Sequence, residues 1–242
     1  SPITGYGRLD EAVEVDSTTH YNDLMAKLGS ETCSGSSSET KNAALFTPLR
    51  GTLISARQYF KGTSPYTSPI TSSCQKNFVV MVTDGLPTGD TSGNLYSAAA
   101  RTNTYNAGPP ATWTFGTAAQ DAINAACALR LPYTSSSLCA GPAPTGTPAA
   151  DPIPPSDIET YVLALGDTVQ NAGAVAVMNA MAKAGGTNTA YFATTSSAFQ
   201  TAFDNIAASI LGKIGAASAV ATNSTALSTN SFIYQANFDT TD

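Results

Sequence analysis

Asp84 is the acidic residue in the most informative position, because it follows an uninterrupted apolar run at residues 78–82. A short run without alternation predicts a strand that is buried on both faces, as in a parallel sheet. In open sheets of this kind, ligands bind beyond the carboxyl ends of the strands. Asp84 is therefore a candidate ligand-contacting residue. Asp167 follows a second apolar run at residues 160–165 and could lie on the same rim.

Residue types suited to catalysis are sparse in this chain. A hydrolytic triad would have to use His20, the only histidine, which lies at a helix start where capping is the commoner role. Glycoside hydrolysis would need two acids in one cleft, and spacing suggests no partner for Asp84 or Asp167. The sequence contains no glycine-rich phosphate-binding motif. We therefore expect a binding protein and not an enzyme.

The four cysteines are an even number with wide spacings and no C-x-x-C pair: Cys33, Cys74, Cys127 and Cys139. With a single histidine, a zinc site would need nearly every thiol, so two disulfides are the simpler interpretation. We expect Cys33 to pair with Cys74 and Cys127 with Cys139, because each pair brackets a loop-rich insertion. Each bond would contribute roughly 3 kcal/mol in the chain-entropy model. Spacing leaves the connectivity open, and free thiols in a cytosolic protein are the alternative.

Composition restricts the partners. Hydrophobic residues make up 42% of the 242 residues, enough for a substantial core, whereas charged residues make up only 12%. A surface rich in Ser, Thr, Ala, Gly and Asn is typical of an extracellular protein. The net charge of −6, without any Lys or Arg cluster, argues against nucleic acids and anionic membranes. No apolar run is long enough to span a bilayer.

Apolar periodicity predicts strands that alternate with helices. Strands are expected at residues 8–15, 78–82, 160–165, 190–193 and 231–238. Helices are expected at 21–28, 47–60, 117–131, 172–184 and 197–214, the second with Thr47 as cap and Pro48 at its first position. Loop-rich insertions are expected at 85–115 and 132–155. This order predicts an α/β fold with a doubly wound, mostly parallel sheet and helices on both faces.

The sequence VVMVTDG, together with the upstream helix that begins Thr47-Pro48-Leu49 and continues to Leu53, resembles von Willebrand factor A domains. The segments TYVLALGD and MAKAGGTNTAYFATTSSAFQTAFDNIAASI resemble the last two strand–helix units of that Rossmann-like family. The segments ARQYFKG, CQKNFVVMVTDG and SAVATNSTALSTNSFIYQANFDTTD are similar to the PilY family of type IV pilus tip-associated proteins. The resemblance covers residues 47–242, with two insertions.

This resemblance implies an extracellular adhesion module at a pilus tip, with minor pilins, other tip proteins and a host or abiotic surface as partners. It implies an A-type domain at residues 1–215 and an exit segment at 216–242 that leads toward a C-terminal β-propeller. The alternative is a metal-free structural scaffold of a pilus or surface assembly.

The resemblance also implies a metal-ion-dependent adhesion site. By position, Thr47 corresponds to the family's threonine and Asp84 to its aspartate, and oxygen ligands of this kind suit Mg²⁺ or Mn²⁺ better than Ca²⁺. The family's Asp-x-Ser-x-Ser sequence does not appear. The nearest sequence starts at Asp90, in a loop where a solvated turn is the simpler interpretation. We therefore expect the first, central strand upstream of Ser1.

The insertion after Asp84 contains the only tryptophan, Trp113, with Tyr105 and Phe115 nearby. These aromatic residues are expected either to form an exposed contact surface or to build the insertion's own small core. The sequence does not decide between the two.

Overall fold

The computed structural model describes residues 6–7, 9, 12–13, 17–28, 46–72, 75–130 and 158–218. Contacts divide the chain into two units, Ser1–Phe203 and Asp204–Asp242. The helices are α1 (Thr18–Leu28), α2 (Leu49–Lys61), α3 (Ala98–Arg101), α4 (Thr117–Arg130), α5 (Ala172–Ala184) and α6 (Ser196–Ser218). The strands are β1 (Phe78–Thr83), β2 (Thr104–Asn106), β3 (Thr112–Thr114), β4 (Glu159–Leu165) and β5 (Tyr191–Ala193).

The main sheet is parallel and has three described strands, in the order β1-β4-β5. Phe78 pairs with Glu159 at one end of the β1–β4 ladder and Thr83 with Ala164 at the other, and Leu163 pairs with Tyr191 where β5 begins. Parallel neighbours need crossover connections, and the described residues provide them as helices α4 and α5. The mixed α/β architecture with a mostly parallel sheet is therefore confirmed.

One face of this sheet packs against α2, α4 and α5. Met81, Val162 and Ala164 share that face because they alternate along β1 and β4. They belong to one buried cluster with residues of the three helices: Leu53 and Phe60 of α2, Ala122, Ala126 and Leu129 of α4, and Val177, Met178 and Met181 of α5. The alanines of α4 let it approach the sheet and its neighbours closely.

The expectation that the 78–82 strand is buried on both faces is wrong for β1. Met81 and Thr83 are buried, but Val80 is 36% exposed and Val82 is 47% exposed. Among the described residues only β4 pairs with β1, so β1 is an edge strand of the described sheet. On the same face, the neighbouring Tyr161 and Leu163 of β4 are fully covered. The exposure is therefore confined to the β1 side.

The start of α2 differs from the expectation. Pro48 is the N-cap residue and not the first helical residue, and no side chain caps the helix. The physical reason is that Thr47 pairs through its backbone with the loop after β1, as described below, and so lies outside the capping position. At α1, by contrast, the Ser17 hydroxyl accepts a hydrogen bond from the His20 amide and so caps the start of the helix.

Helix α5 begins and ends as its sequence predicts. The Asn171 side chain accepts a hydrogen bond from the Ala174 amide, and Gly185 and Gly186 follow the last turn. A Cβ atom at Gly185 would lie 2.7 Å from Cβ of Thr160, so the close approach of this turn to β4 requires glycine.

Several expectations lie wholly or partly outside the described residues. Of the strand expected at 8–15, only Leu9, Ala12 and Val13 are described, and none of them is in a strand. The insertion at 132–155 and the strand at 231–238 are not among the described residues. In the second unit, Ile206 of α6 is buried, whereas Leu211 and Ile214 are exposed. No helix in the described part of the chain is long and apolar enough to cross a membrane.

Candidate functional site

The carboxyl ends of β1 and β4 lie at one edge of the sheet, because the two strands are parallel neighbours. Asp84 follows β1 and is exposed, and Asp167 follows β4 after Gly166, whose φ of 82° turns the chain away from the sheet. The Thr168 hydroxyl donates a hydrogen bond of 2.5 Å to the Asp84 carbonyl oxygen. This bond fixes the backbone of Asp84 to the turn after the neighbouring strand and leaves its carboxylate facing solvent.

Thr47 lies directly beside this edge. A Cβ atom at Gly85 would lie 3.4 Å from the Thr47 hydroxyl oxygen, so that hydroxyl borders the residue after Asp84. The Thr47 amide donates to the Thr88 hydroxyl at 2.9 Å, and the Thr47 carbonyl accepts from the amides of Thr88 and Gly89 at 3.0 and 3.2 Å. The loop after β1 therefore holds Thr47 through its backbone, with the Thr47 hydroxyl beside Gly85, the residue that follows Asp84.

The Asp90 loop forms a turn. The Asp90 carboxylate accepts hydrogen bonds from the amides of Ser92 and Asn94 at 2.9 and 2.8 Å, and Gly93 adopts a φ of 84°. These local bonds are typical of an Asx turn, in which the carboxylate organises its own loop. This geometry agrees with the solvated-turn interpretation of the Asp90 sequence.

The carboxyl edge of the sheet offers a few neutral and anionic oxygen atoms as possible ligands. Asp84 provides a carboxylate and Thr47 a hydroxyl, which are ligands of the kind that Mg²⁺ and Mn²⁺ prefer. A near-octahedral ion needs more donors than these two residues supply, so water, a partner or further chain would have to complete the set. Within the described ranges, no three His, Cys, Asp or Glu residues are grouped closely enough to hold a metal ion.

A shallow cavity of about 280 Å³ lies along the same edge, beyond the ends of β4 and β5. Its walls combine hydroxyl groups with one aromatic ring, from Leu165, Gly166, Ala193, Thr194, Thr195, Ser196 and Phe199. The Phe199 ring stacks on Phe203 in the next turn of α6, with centroids 6.1 Å apart. None of these residues is charged, so the β4–β5 side of the edge offers hydrogen bonding and apolar contact.

A buried polar network supports the elements on which the edge is built. Arg50, in the first turn of α2, lies 3.2 Å from a carboxylate oxygen of Asp121 in α4. Tyr96 of the insertion donates its phenolic hydrogen to the same oxygen at 2.8 Å. Burial and the hydrogen bond to Asp121 raise the pKa of Tyr96 to about 12. Three segments that meet near Thr47 are thus joined through one carboxylate.

The insertion after Asp84 folds into the hairpin β2–β3. The base of this hairpin is fixed by a 3.0 Å hydrogen bond from the Gly116 amide to the Asn103 side chain. A Cβ atom at Gly116 would lie 2.6 Å from the Thr102 carbonyl oxygen, so the two ends of the insertion approach too closely for any side chain there. Sequence reasoning missed this hairpin because its strands have three residues each, too few for a periodic signal.

The aromatic residues of the insertion occupy different environments. Tyr105 and Trp113 pair across the hairpin with ring centroids 5.1 Å apart, and Tyr105 is 54% exposed. Trp113 is partly buried, and its ring would lie 3.4 Å from a Cβ atom at Gly173, in the first turn of α5. Phe115 packs against the main core. The two expectations therefore apply to different residues: Tyr105 is exposed, and the other two rings attach the insertion to the domain.

Thr168 is a residue of the edge that sequence reasoning missed. It follows Asp167 in the short turn after β4, and the only available signal was a Gly-Asp-Thr sequence directly after a buried strand. His20 lies in the first turn of α1, and its Nδ1 has no hydrogen-bond partner. Within the described part of the chain, therefore, no group bonds to Nδ1, the atom through which a triad carboxylate orients its histidine.

Cys127 of α4 is disulfide-bonded and buried. Cys33, Cys74 and Cys139 lie outside the described residues, so the expected pairing of Cys127 with Cys139 stays a prediction.

Comparison of this chain with models of protein families, with curated proteins and with solved structures found no match.

Proposed function

We propose that this chain is a von Willebrand factor A-type module of a PilY-family pilus tip protein, which acts in extracellular adhesion through the edge that carries Asp84 and Thr47. The proposal includes the doubly wound arrangement that this family implies, with minor pilins, tip proteins and a host or abiotic surface as partners. It treats the module as non-enzymatic.

The observation that carries this proposal is the position of the Thr47 hydroxyl, 3.4 Å from a Cβ atom at Gly85 and thus next to Asp84. The two residues are far apart in sequence, and the resemblance assigns both to one metal site. A hydroxyl beside the residue that follows Asp84, at the carboxyl edge of a parallel sheet, supports a site of that kind. The exposed Asp84 carboxylate is accessible to an ion and to a carboxylate offered by a partner.

The test is metal binding by the full-length protein. Mn²⁺ is titrated, and the bound ion is measured by electron paramagnetic resonance or water-proton relaxation. We expect Asp84→Ala to abolish a binding step and Thr47→Ala to weaken it, because each substitution removes one oxygen donor. Asp23→Ala is the matched control, because Asp23 is an exposed aspartate on α1. If Mn²⁺ binds equally to the wild type and to Asp84→Ala, the metal site is wrong.

The second candidate is the metal-free scaffold of a pilus or surface assembly. It is kept because Asp84 and Thr47 are two oxygen donors, fewer than a near-octahedral ion needs. Under this alternative, adhesion to a surface or to minor pilins would be unchanged by EDTA and by Asp84→Ala. Loss of adhesion on chelation, with recovery on adding Mg²⁺ or Mn²⁺, would exclude it.

A further inference from the structure

The hairpin β2–β3 contacts the start of α5. Trp113 packs on Gly173, at the start of α5. Asn171 lies two residues before Gly173 and donates its side-chain N–H to the Thr168 carbonyl oxygen at 2.9 Å. The Thr168 hydroxyl in turn donates to the Asp84 carbonyl oxygen. The aromatic face of the hairpin is thus joined to the candidate site through a short series of direct contacts.

This face presents one large exposed ring on a rigid support. Tyr105 is held by the cross-strand ladder and by its tilted contact with Trp113, at an interplanar angle of 49°. Trp113 in turn is held against α5, and the Gly116–Asn103 hydrogen bond closes the base of the hairpin. A tyrosine held in this way offers contact area at a small cost in conformational entropy, which is why such residues are frequent in binding surfaces.

The hairpin that carries Tyr105 has no charged side chain. No Asp, Glu, Lys, Arg or His occurs between Arg101 and Asp121, although the chain as a whole has a net charge of −6. The polar groups of the hairpin are neutral, and the Asn106 amide donates a hydrogen bond of 3.0 Å to the Thr114 hydroxyl. A protein interface of ordinary size has a broad apolar core and a partly charged rim. A single ring bordered by neutral hydrogen-bonding groups fits a smaller, hydroxyl-rich ligand better.

We propose that the hairpin β2–β3 is a glycan-contacting surface, on which the Tyr105 ring stacks against a neutral sugar ring. This inference rests on the proposed adhesive function, because it names the class of ligand that the edge contacts. It adds a contact that needs no metal ion, since the Tyr105 ring would bind through apolar contact.

The chain contains a built-in reporter for this proposal, since Trp113 is its only tryptophan and contacts Tyr105. The full chain is examined by affinity electrophoresis in gels that contain dextran, xylan or galactomannan, with polygalacturonate as the charged comparison. Trp113 fluorescence is then titrated with the same polysaccharides. We expect retardation by at least one neutral polysaccharide, together with a change in Trp113 emission.

The variants separate stacking from folding. Tyr105→Ala is expected to weaken binding about tenfold, as for loss of an aromatic anchor, whereas Tyr105→Phe keeps the ring and most of the affinity. Tyr21→Ala is the matched control, because Tyr21 is 58% exposed on α1. The proposal is overturned if no neutral polysaccharide retards the wild type, if only polygalacturonate does, or if Tyr105→Ala binds like the wild type. Binding of a protein partner that requires Tyr105, without any polysaccharide binding, also overturns it.

The same measurements are repeated with EDTA and with Asp84→Ala. Retained glycan binding under both conditions supports the hairpin surface even where the metal site fails. Loss of glycan binding under both would show that the metal site alone carries the contact, and would overturn the hairpin proposal while supporting the proposed function.

Discussion

Asp121→Asn tests how strongly one partly buried carboxylate holds the elements around the candidate site. In the wild type this carboxylate faces the Arg50 guanidinium, whose side chain is 8% exposed, and accepts the Tyr96 hydroxyl. Asparagine keeps nearly the same shape and one acceptor oxygen, so Tyr96 can still donate. What the substitution removes is the negative charge beside a buried cation.

The expected loss follows from the burial of the pair. Removing one partner of a fully buried ion pair costs about 3–5 kcal/mol, because the remaining charge stays desolvated. The Asp121 side chain is 17% exposed, so water reduces the effect, and we expect the lower end or slightly less, about 2–3 kcal/mol. For a chain of this size that corresponds to a decrease in Tm of roughly 5–10 °C. Tyr96→Phe, which removes one hydrogen bond and no charge, should cost about 1 kcal/mol.

The assay is urea unfolding followed by far-UV circular dichroism and by Trp113 fluorescence. Asp23→Asn, an exposed aspartate on α1, is the control and should leave the unfolding midpoint unchanged within error. In the double variant with Arg50→Met, the loss should be smaller than the sum of the single losses, because the desolvated charge is then absent. A loss below about 0.5 kcal/mol for Asp121→Asn, typical of exposed sites, would refute this reasoning.

Three further predictions concern the same domain. Gly116→Ala should lower the free energy of unfolding by more than 1 kcal/mol in urea titrations, about the scale of a backbone clash, while Gly108→Ala, with nothing within 4 Å of its Cβ position, should be near neutral. Val82→Thr should lower the free energy of unfolding by less than about 1 kcal/mol because Val82 is half exposed, whereas Met81→Ala on the buried face should lower it by about 2–5 kcal/mol. Equal losses in urea titrations would show that both faces of β1 are covered. The pKa of Tyr96 is raised to about 12 from 10.0, so its stabilising contribution is present below pH 10 and is lost as the pH rises toward 12. Difference absorbance at alkaline pH should show a late-titrating tyrosine that is missing in Tyr96→Phe.

The main-sheet elements could be predicted because their sequences are strongly patterned. The run that became β4 is buried from Thr160 to Ala164, and helix α5 has the expected bounds, residues 172 and 184, with Gly185 and Gly186 directly after it. The position of Thr47 beside Gly85, the residue after Asp84, was predictable only through the family resemblance. Neither periodicity nor spacing indicates that the start of α2 lies beside the end of β1, because many residues separate the two in the sequence.

The features that could not be predicted depend on tertiary contacts. The Arg50–Asp121–Tyr96 network joins α2, the insertion and α4, and the sequence gives no sign that these residues meet. The exposure of Val80 and Val82 depends on which strands lie beside β1, whereas the apolar run alone indicates a central position. The apolar pattern of a segment shows which of its side chains could be buried. Whether they are buried depends on the strands and helices that pack against the segment.

The open side of β1 and the shortage of metal ligands concern the same region of the sheet. Val80 and Val82 are exposed where the described residues place no strand beside β1, and Asp84 ends that same strand. A parallel strand added there would cover the valines and, because parallel strands end at the same edge, would bring its own final residues next to Asp84 and Thr47. Metal affinity and protection of the β1 edge should therefore rise together wherever a strand occupies this position, since both would depend on a strand beside β1.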